Sequence, residues 1–139
     1  QSVLNAAARL VSFTRKFDHV TPILRDLHWL LAPQRIDYKL AVLVYRCLHD
    51  MAPPYLANAL HRVSDVGSRQ RLRSASTAQL LVPSTRHSTM GDRAFPVAGA
   101  RVWNSLPPHV TAAESILTFK RQLKTELFTR SYPPAPAAR

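Results

Sequence analysis

The stretch Pro33-Gln-Arg-Ile-Asp-Tyr-Lys-Leu-Ala-Val-Leu-Val-Tyr-Arg-Cys-Leu-His-Asp50 carries the strongest structural signal in the sequence. Its apolar residues recur at intervals of three and four, which is the repeat of one face of an α-helix. Pro33 is predicted to open the helix, because the first turn has no partner for the missing N–H. The pattern predicts a long helix with one side in a core. The apolar positions are Ile36, Leu40, Leu43, Val44, Cys47 and Leu48.

Shorter helices are predicted on both sides of this stretch by the same spacing. Thr21-Pro22 has the composition of a helix start, with a threonine N-cap before proline. Pro53-Pro54 is expected to end the long helix and begin the next, and Thr111 with Glu114 has the spacing of a capping box. The predicted helices are Val3–Val11, Thr21 to His28 or Trp29, Pro33–Asp50, Pro54 to about Val63, Ala94–Asn104, and Ser115 or Ile116 to Phe128.

The composition changes at Ser64. No acidic residue occurs from Val66 to Gly91, where arginines stand among serines and threonines, and such a segment resists packing by itself. Short strands are predicted near Gln79–Pro83 and Ser88–Met90, so that this part forms either a small hairpin or an extended loop.

The predicted fold class is therefore mainly α, a small helical domain of about five or six helices with a short β-hairpin or extended loop in the middle. The length of 139 residues suits one domain. We expect that domain to span residues 1–131, with a helical first half (1–63), a basic loop with short strands (64–93) and a helical second half (94–131). Residues 132–139 are rich in proline and alanine and are expected to form a tail.

Charge is the first indication of function. Lysine and arginine number 19 against 8 aspartates and glutamates, which gives a net charge of +11. A polyanion relieves the resulting self-repulsion, and nucleic acid is the commonest such partner because each neutralised phosphate releases counterions. The alternative is a basic surface that only keeps the chain in solution.

The arginines of the acid-free stretch form the sharpest candidate interface. Arg69, Arg71 and Arg73 alternate, so in an extended backbone their guanidinium groups point the same way and suit a run of phosphates. The alternative is a solvated arginine loop. The last predicted helix offers a second basic face. The candidate nucleic-acid-binding residues are Arg69, Arg71, Arg73, Arg86, Arg93, Lys120, Arg121 and Lys124.

Aromatic residues are a further candidate for base contacts, because unpaired bases stack on aromatic rings. Most of them fall on apolar helix stripes, which favours core packing. These residues are Trp29, Tyr38, Tyr45, Tyr55 and Trp103.

No complete catalytic or metal site is evident. The six histidines lack finger or knuckle spacing, and the eight acids are scattered, mostly beside basic residues. Cys47 is the only cysteine, and its place on the apolar stripe predicts a small buried hydrophobe. His49 faces another side of the helix and so cannot activate the thiol. Three glycines exclude a glycine-rich phosphate loop. We expect no enzyme activity, no metal and no cofactor.

Membrane insertion is not expected either. The longest apolar run, Leu40 to Tyr45, is far shorter than the roughly 20 residues of a spanning helix. An intracellular location, nuclear or cytoplasmic or both, is consistent with a single cysteine and a basic charge.

Short runs along nearly the whole chain, up to about Tyr132, match one known kind of sequence. The runs are Asn5-Ala-Ala-Ala-Arg-Leu-Val11, Asp18-His-Val-Thr-Pro22, Leu24-Arg-Asp-Leu-His-Trp-Leu30, Gln34-Arg-Ile-Asp-Tyr-Lys-Leu40, Tyr45-Arg-Cys-Leu-His49, Ala52-Pro-Pro-Tyr-Leu56, Gly91-Asp-Arg-Ala-Phe-Pro-Val-Ala98, Val102-Trp-Asn-Ser-Leu-Pro107 and Phe119-Lys-Arg-Gln-Leu-Lys124. In their order and spacing they resemble the C-terminal region, downstream of the reverse transcriptase domain, of non-LTR (LINE-type) retrotransposon polyproteins.

The resemblance implies an accessory piece of a reverse transcriptase, because the polymerase signature of the family, paired aspartates after an aromatic residue and alanine, is absent here. It leads to the hypothesis of a non-catalytic domain that binds RNA or DNA through phosphates with little sequence specificity. The alternative is a structural module that packs on the polymerase thumb or another protein, with the helices of Trp29 and Trp103 as its interface. The upstream reverse transcriptase domain is then a further expected partner.

Overall fold

A computed structural model of the chain describes residues 1–65, 78–87 and 89–133, and the helices predicted from the sequence dominate it. The predicted class, mainly α, is confirmed. Within the described residues none of the helices is long and apolar enough to cross a membrane. The α-helices are α1 (Ser2–Val11), α2 (Val20–Asp26), α3 (Ala32–Leu48), α4 (Pro54–Ala57), α5 (Phe95–Asn104), α6 (Pro108–Thr111) and α7 (Ile116–Ser131), and 3-10 turns occupy Val63–Asp65 and Gly91–Arg93.

The chain forms two compact units. Unit 1 comprises residues 1–38 and 123–139, and unit 2 comprises residues 39–122. Unit 1 has a core of Ala8, Leu24 and Tyr132. The Tyr132 hydroxyl donates a hydrogen bond to the Trp29 carbonyl at 2.7 Å. Tyr132 was predicted to begin the tail, but its ring is buried and its hydroxyl is hydrogen-bonded, so Tyr132 belongs to the core of unit 1.

Stacked aromatic rings form the centre of unit 2. The Tyr45 ring lies 4.4 Å from the Phe119 ring, and the Trp103 ring lies 5.8 Å from Phe119 on another side. The Tyr45 hydroxyl donates to the Ala113 carbonyl at 3.0 Å, which satisfies its one polar group inside the core. Cys47 is buried as predicted, and burial raises the pKa of its thiol.

Two predicted features of the helix starts are wrong. α2 begins at Val20, so Thr21 lies inside the helix and makes no capping hydrogen bond. The hydroxyl that caps α7 is that of Ser115, which accepts from the Thr118 N–H at 3.2 Å. Thr111 instead donates to the carbonyl of Pro108 in α6. In each case the chain turned into the helix at a different residue from the one the local motif indicated.

The middle of the chain also differs from the prediction. α4 ends at Ala57 rather than near Val63, and the residues around Arg62 form one isolated antiparallel bridge with Leu80. Residues 79–81 therefore pair with residues 61–63, and Thr89 and Met90 form a turn, while Ser88 lies outside the described residues. Of the two forms predicted for this part, residues 78–87 have that of an extended loop.

Three helices end in the left-handed backbone conformation without glycine. Phe13, His28 and Asp50 follow α1, α2 and α3 with φ angles of 52°, 54° and 55°. In the third case the Met51 N–H donates to the Arg46 carbonyl at 2.8 Å, which is the long bond of a Schellman motif. A side chain at such a position is strained by its Cβ, so each of these helix ends is destabilised relative to glycine.

Replacing Asp50 by glycine is expected to raise the free energy of unfolding by about 1 kcal/mol. The left-handed backbone costs an L-residue about 1–2 kcal/mol, and the greater freedom of glycine in the unfolded chain offsets part of the gain. The change also removes a negative charge from a helix C-terminus. Urea denaturation measures the effect. Asp26→Gly is the matched control, since Asp26 is the last residue of α2 and glycine there should destabilise.

Candidate nucleic-acid interface

The backbone of residues 79–81 is hydrogen-bonded on both edges. On one edge the Val63 N–H donates to the Gln79 carbonyl at 3.1 Å and the Leu81 N–H donates to the His61 carbonyl at 2.8 Å. On the other edge the Leu80 N–H donates to Asn104 Oδ1 and Asn104 Nδ2 donates to the Leu80 carbonyl, both at 2.8 Å. The Asn104 amide thus takes the place of a neighbouring strand, and no polar group of Leu80 is left unpaired.

This pairing places the two ends of the arginine-rich stretch together. Arg69, Arg71 and Arg73 lie outside the described residues, but the residues on each side of that stretch are bonded to each other through Val63 and Gln79. The Trp103 indole N–H adds a bond to the Ala78 carbonyl at 2.8 Å. The described residues that flank the stretch are therefore held together, beside the exposed side chain of Arg62.

Removing the Asn104 amide should loosen this anchor. Asn104→Ala leaves the N–H and C=O of a buried Leu80 without partners, so the free energy of unfolding should fall by about 1–3 kcal/mol. Hydrogen exchange at the Leu80 amide should accelerate. Asn58→Ala is the matched control, because the Asn58 side chain makes no hydrogen bond to the described residues and its loss should change stability by less than about 0.5 kcal/mol. Equal effects of the two changes would contradict the role given to Asn104.

A second basic group surrounds one carboxylate. Asp92 Oδ1 accepts from the Thr85 hydroxyl at 2.9 Å and from Arg101 Nη2 at 3.2 Å. The bond between Thr85 and Asp92 brings together the backbones of Arg86, which follows Thr85, and Arg93, which follows Asp92. Both arginines are predicted site residues, and both side chains are exposed. We call Thr85, Arg86, Asp92, Arg93 and Arg101 the Asp92 cluster. Three arginines against one carboxylate leave it with an excess of positive charge.

Glycine is required where the two halves of the Asp92 cluster meet. The Gly91 N–H donates to the His87 carbonyl at 2.9 Å, and a Cβ on Gly91 would lie 2.7 Å from the Cβ of Thr85. That distance is too short for two carbon atoms, so no larger residue fits without a shift. Sequence reasoning did not find Arg101, because nothing local links it to a carboxylate nine residues earlier.

The hydrogen bond from Arg101, followed by that from Thr85, holds the pKa of Asp92 below its usual range. A depressed carboxyl pKa in the fold stabilises the fold above the unfolded-state pKa, about 3.9, and this contribution is lost as pH falls through the lower, folded value. Asp92→Asn should therefore lower the melting temperature at pH 6 and have a much smaller effect near pH 3. Arg101→Gln should show the same pH dependence, since it removes the larger cause. If the melting temperatures of wild type and variant differ by the same amount at every pH between 3 and 6, Asp92 does not have the lowered pKa assigned to it.

The basic residues of the last helix lie as the sequence indicated. Phe119 of α7 is buried, whereas Arg121 and Lys124 are exposed and Lys120 is partly buried. Lys120 and Arg121 belong to unit 2 and Lys124 to unit 1.

The aromatic candidates divide into core and surface. Tyr45 and Trp103 are buried, Trp29 and Tyr38 are partly buried, and Tyr55 is exposed. Core packing is thus confirmed for the two buried rings, which are excluded from base stacking. Phe13 and Phe17, which sequence reasoning did not select, are almost fully exposed. A basic residue next to an aromatic one, as in Lys16-Phe17, is the only local signal that could have marked them.

The described residues hold no group of three or more histidine, cysteine or acidic side chains placed to bind a metal ion. Comparison with known proteins gives no match, whether to a protein-family model, a curated protein or a solved structure. The function is therefore argued from the residues themselves.

Proposed function

We propose that this chain is a non-catalytic module that binds nucleic acid through phosphate contacts. The observation that carries the proposal is that the described residues flanking the arginine-rich stretch, Val63 and Gln79, are bonded to each other, while Asn104 holds the neighbouring Leu80. Exposed Arg62 at its base and the exposed Arg86 and Arg93 of the Asp92 cluster are further cations of the same unit. Guanidinium groups suit phosphates because their planar donors bind two oxygens at once.

Unit 2 also has the larger charge excess. It contains eleven lysines and arginines but four acids, and one of those acids, Asp92, is bonded to an arginine. Counterion release from a polyanion therefore favours binding to this unit. Phosphate contacts position a protein without reading the bases, so RNA and DNA are both expected as partners, with low sequence specificity.

The resemblance to the region downstream of a retrotransposon reverse transcriptase supports a particular setting for this activity. In that setting the module holds template RNA or target DNA near a polymerase whose chemistry lies in another domain, and it acts in the nucleus, the cytoplasm or both. The upstream reverse transcriptase domain is then a partner in the same polyprotein.

Binding to a labelled oligonucleotide across a salt series tests the proposal. Arg86→Gln with Arg93→Gln should reduce the slope of log K against log salt by roughly 0.7–0.9 for each phosphate that the variant no longer neutralises. Changing Arg69, Arg71 and Arg73 to glutamate should weaken binding by about an order of magnitude or more, because it also adds repulsion. Arg25→Gln with Arg35→Gln is the matched control, since these two exposed arginines lie in unit 1.

The control should leave the slope nearly unchanged. If all these variants bind as the wild type does, the unit 2 arginines are not the contact. If the wild type itself binds no nucleic acid at low salt, the proposed function is wrong.

A protein-interaction role is the second candidate, and exposed apolar residues of α1 favour it. Val3, Leu10 and Val11 are largely exposed. Of the two residues whose helices were predicted to form this interface, Trp103 is 2% exposed in the core of unit 2 and Trp29 packs against the core of unit 1. A stable complex with the upstream polymerase that survives nuclease and high salt, and that Leu10→Ser disrupts, would favour this role over nucleic-acid binding.

A further inference from the structure

The turn that follows α1 exposes two aromatic rings. Phe13 is 96% exposed and Phe17 is 91% exposed, although rings of this size ordinarily bury most of their surface. Arg15 and Lys16 stand between them, and the Lys16 ammonium lies 5.9 Å from the centre of the Phe17 ring. We call Phe13, Arg15, Lys16 and Phe17 the aromatic-basic tip.

Hydrogen bonds hold the backbone of this tip. The Arg15 N–H donates to Asp18 Oδ2 at 2.9 Å, and the Asp18 N–H donates back to the Arg15 carbonyl at 3.1 Å. Arg9 Nη2 of α1 donates to the Asp18 carbonyl at 3.2 Å. The only acid of the turn is thus used to close it, and the two cations and two rings are left to solvent.

Fold stability does not account for the ring at position 13. The Phe13 φ of 52° is the left-handed conformation in which glycine is favoured, and the exposed ring buries almost nothing to offset the strain. A strained residue that persists without a packing role suggests a use for its side chain.

We propose that the aromatic-basic tip is a stacking site for single-stranded nucleic acid, an inference that rests on the proposed function and names its substrate class. Unpaired bases stack on Phe13 and Phe17, and Arg15 and Lys16 face the phosphates. Duplex bases are already stacked on each other, so their faces are closed to the rings. An anionic membrane would also suit rings beside cations, but both units carry a basic excess, and a flexible polyanionic strand can neutralise the charges of both.

Three probes of equal length separate stacking from charge: a poly-dT strand, an abasic strand with the same phosphates, and a duplex. Phe13→Gly with Phe17→Ala should weaken binding to the poly-dT strand by roughly 5- to 150-fold for each ring that stacks. Binding to the abasic strand and to the duplex should be unchanged, and so should the salt slope, since the variant keeps every charge. Ile36→Ala is the matched control, because Ile36 is an exposed apolar side chain of α3 that has no ring on which a base could stack.

Phe13→Gly also separates function from folding. Glycine relieves the left-handed strain, so this single variant should melt at a higher temperature than Phe13→Ala while it loses affinity for the poly-dT strand. A loss of affinity therefore cannot be assigned to unfolding.

The outcomes distinguish the two proposals. If the wild type binds the poly-dT strand and the duplex equally and the double variant binds both as before, the stacking site is wrong and the phosphate-binding function stands. If the wild type binds none of the three probes, both fail. If the double variant loses binding to phosphatidylserine vesicles but keeps its affinity for the poly-dT strand, the tip is a membrane contact and the stacking site is overturned.

Discussion

The double hydrogen bond between the Asn104 amide and the backbone of Leu80 is the contact on which the candidate interface depends. One edge of residues 79–81 pairs with residues 61–63, and without Asn104 the other edge would leave a buried N–H and C=O unpaired. Asn104 ends α5, and its neighbour Trp103 packs against Phe119 in the core of unit 2. Packing of one helix thereby fixes the position of residues 79–81, which follow the arginine-rich stretch in the sequence.

The second recurring constraint is the scarcity of glycine. Three helices end in left-handed residues that carry full side chains, and none of the three glycines is used there. At one of these sites the side chain has another role, because His28 stacks on Phe128. At a second site the residue tolerates the conformation, because aspartate, as at position 50, enters the left-handed region more readily than most residues. Phe13 has neither justification, and this is why its strain points to a ligand and not to the fold.

The position of an aromatic ring on or off an apolar stripe decides whether the ring lies in the core or on the surface. Rings with a position on an apolar stripe, such as Tyr45 and Trp103, are buried, and their polar atoms are bonded to carbonyls. Rings in the turn after α1 have no stripe to join and stay in solvent beside cations. The Asp18 carboxylate beside the aromatic-basic tip accepts a backbone N–H, and the Asp92 carboxylate accepts a hydrogen bond from an arginine. The basic residues around each of these acids therefore outnumber the acids that are free to neutralise them.

The sequence alone determined the long helices. α1, α3, α5 and α7 follow from apolar repeats, because a helix must present one stripe to the core and that stripe is written in residues three and four apart. The basic character of the middle stretch and of α7 was equally evident. Only the tertiary structure decided that α4 stops after one turn, that Leu80 pairs with residues 61–63 and Asn104, and that Asp92 binds Thr85 and Arg101. The reason is physical: each of these contacts joins residues well separated in the chain, and the backbone groups they satisfy have no periodic signature from which a partner could be predicted.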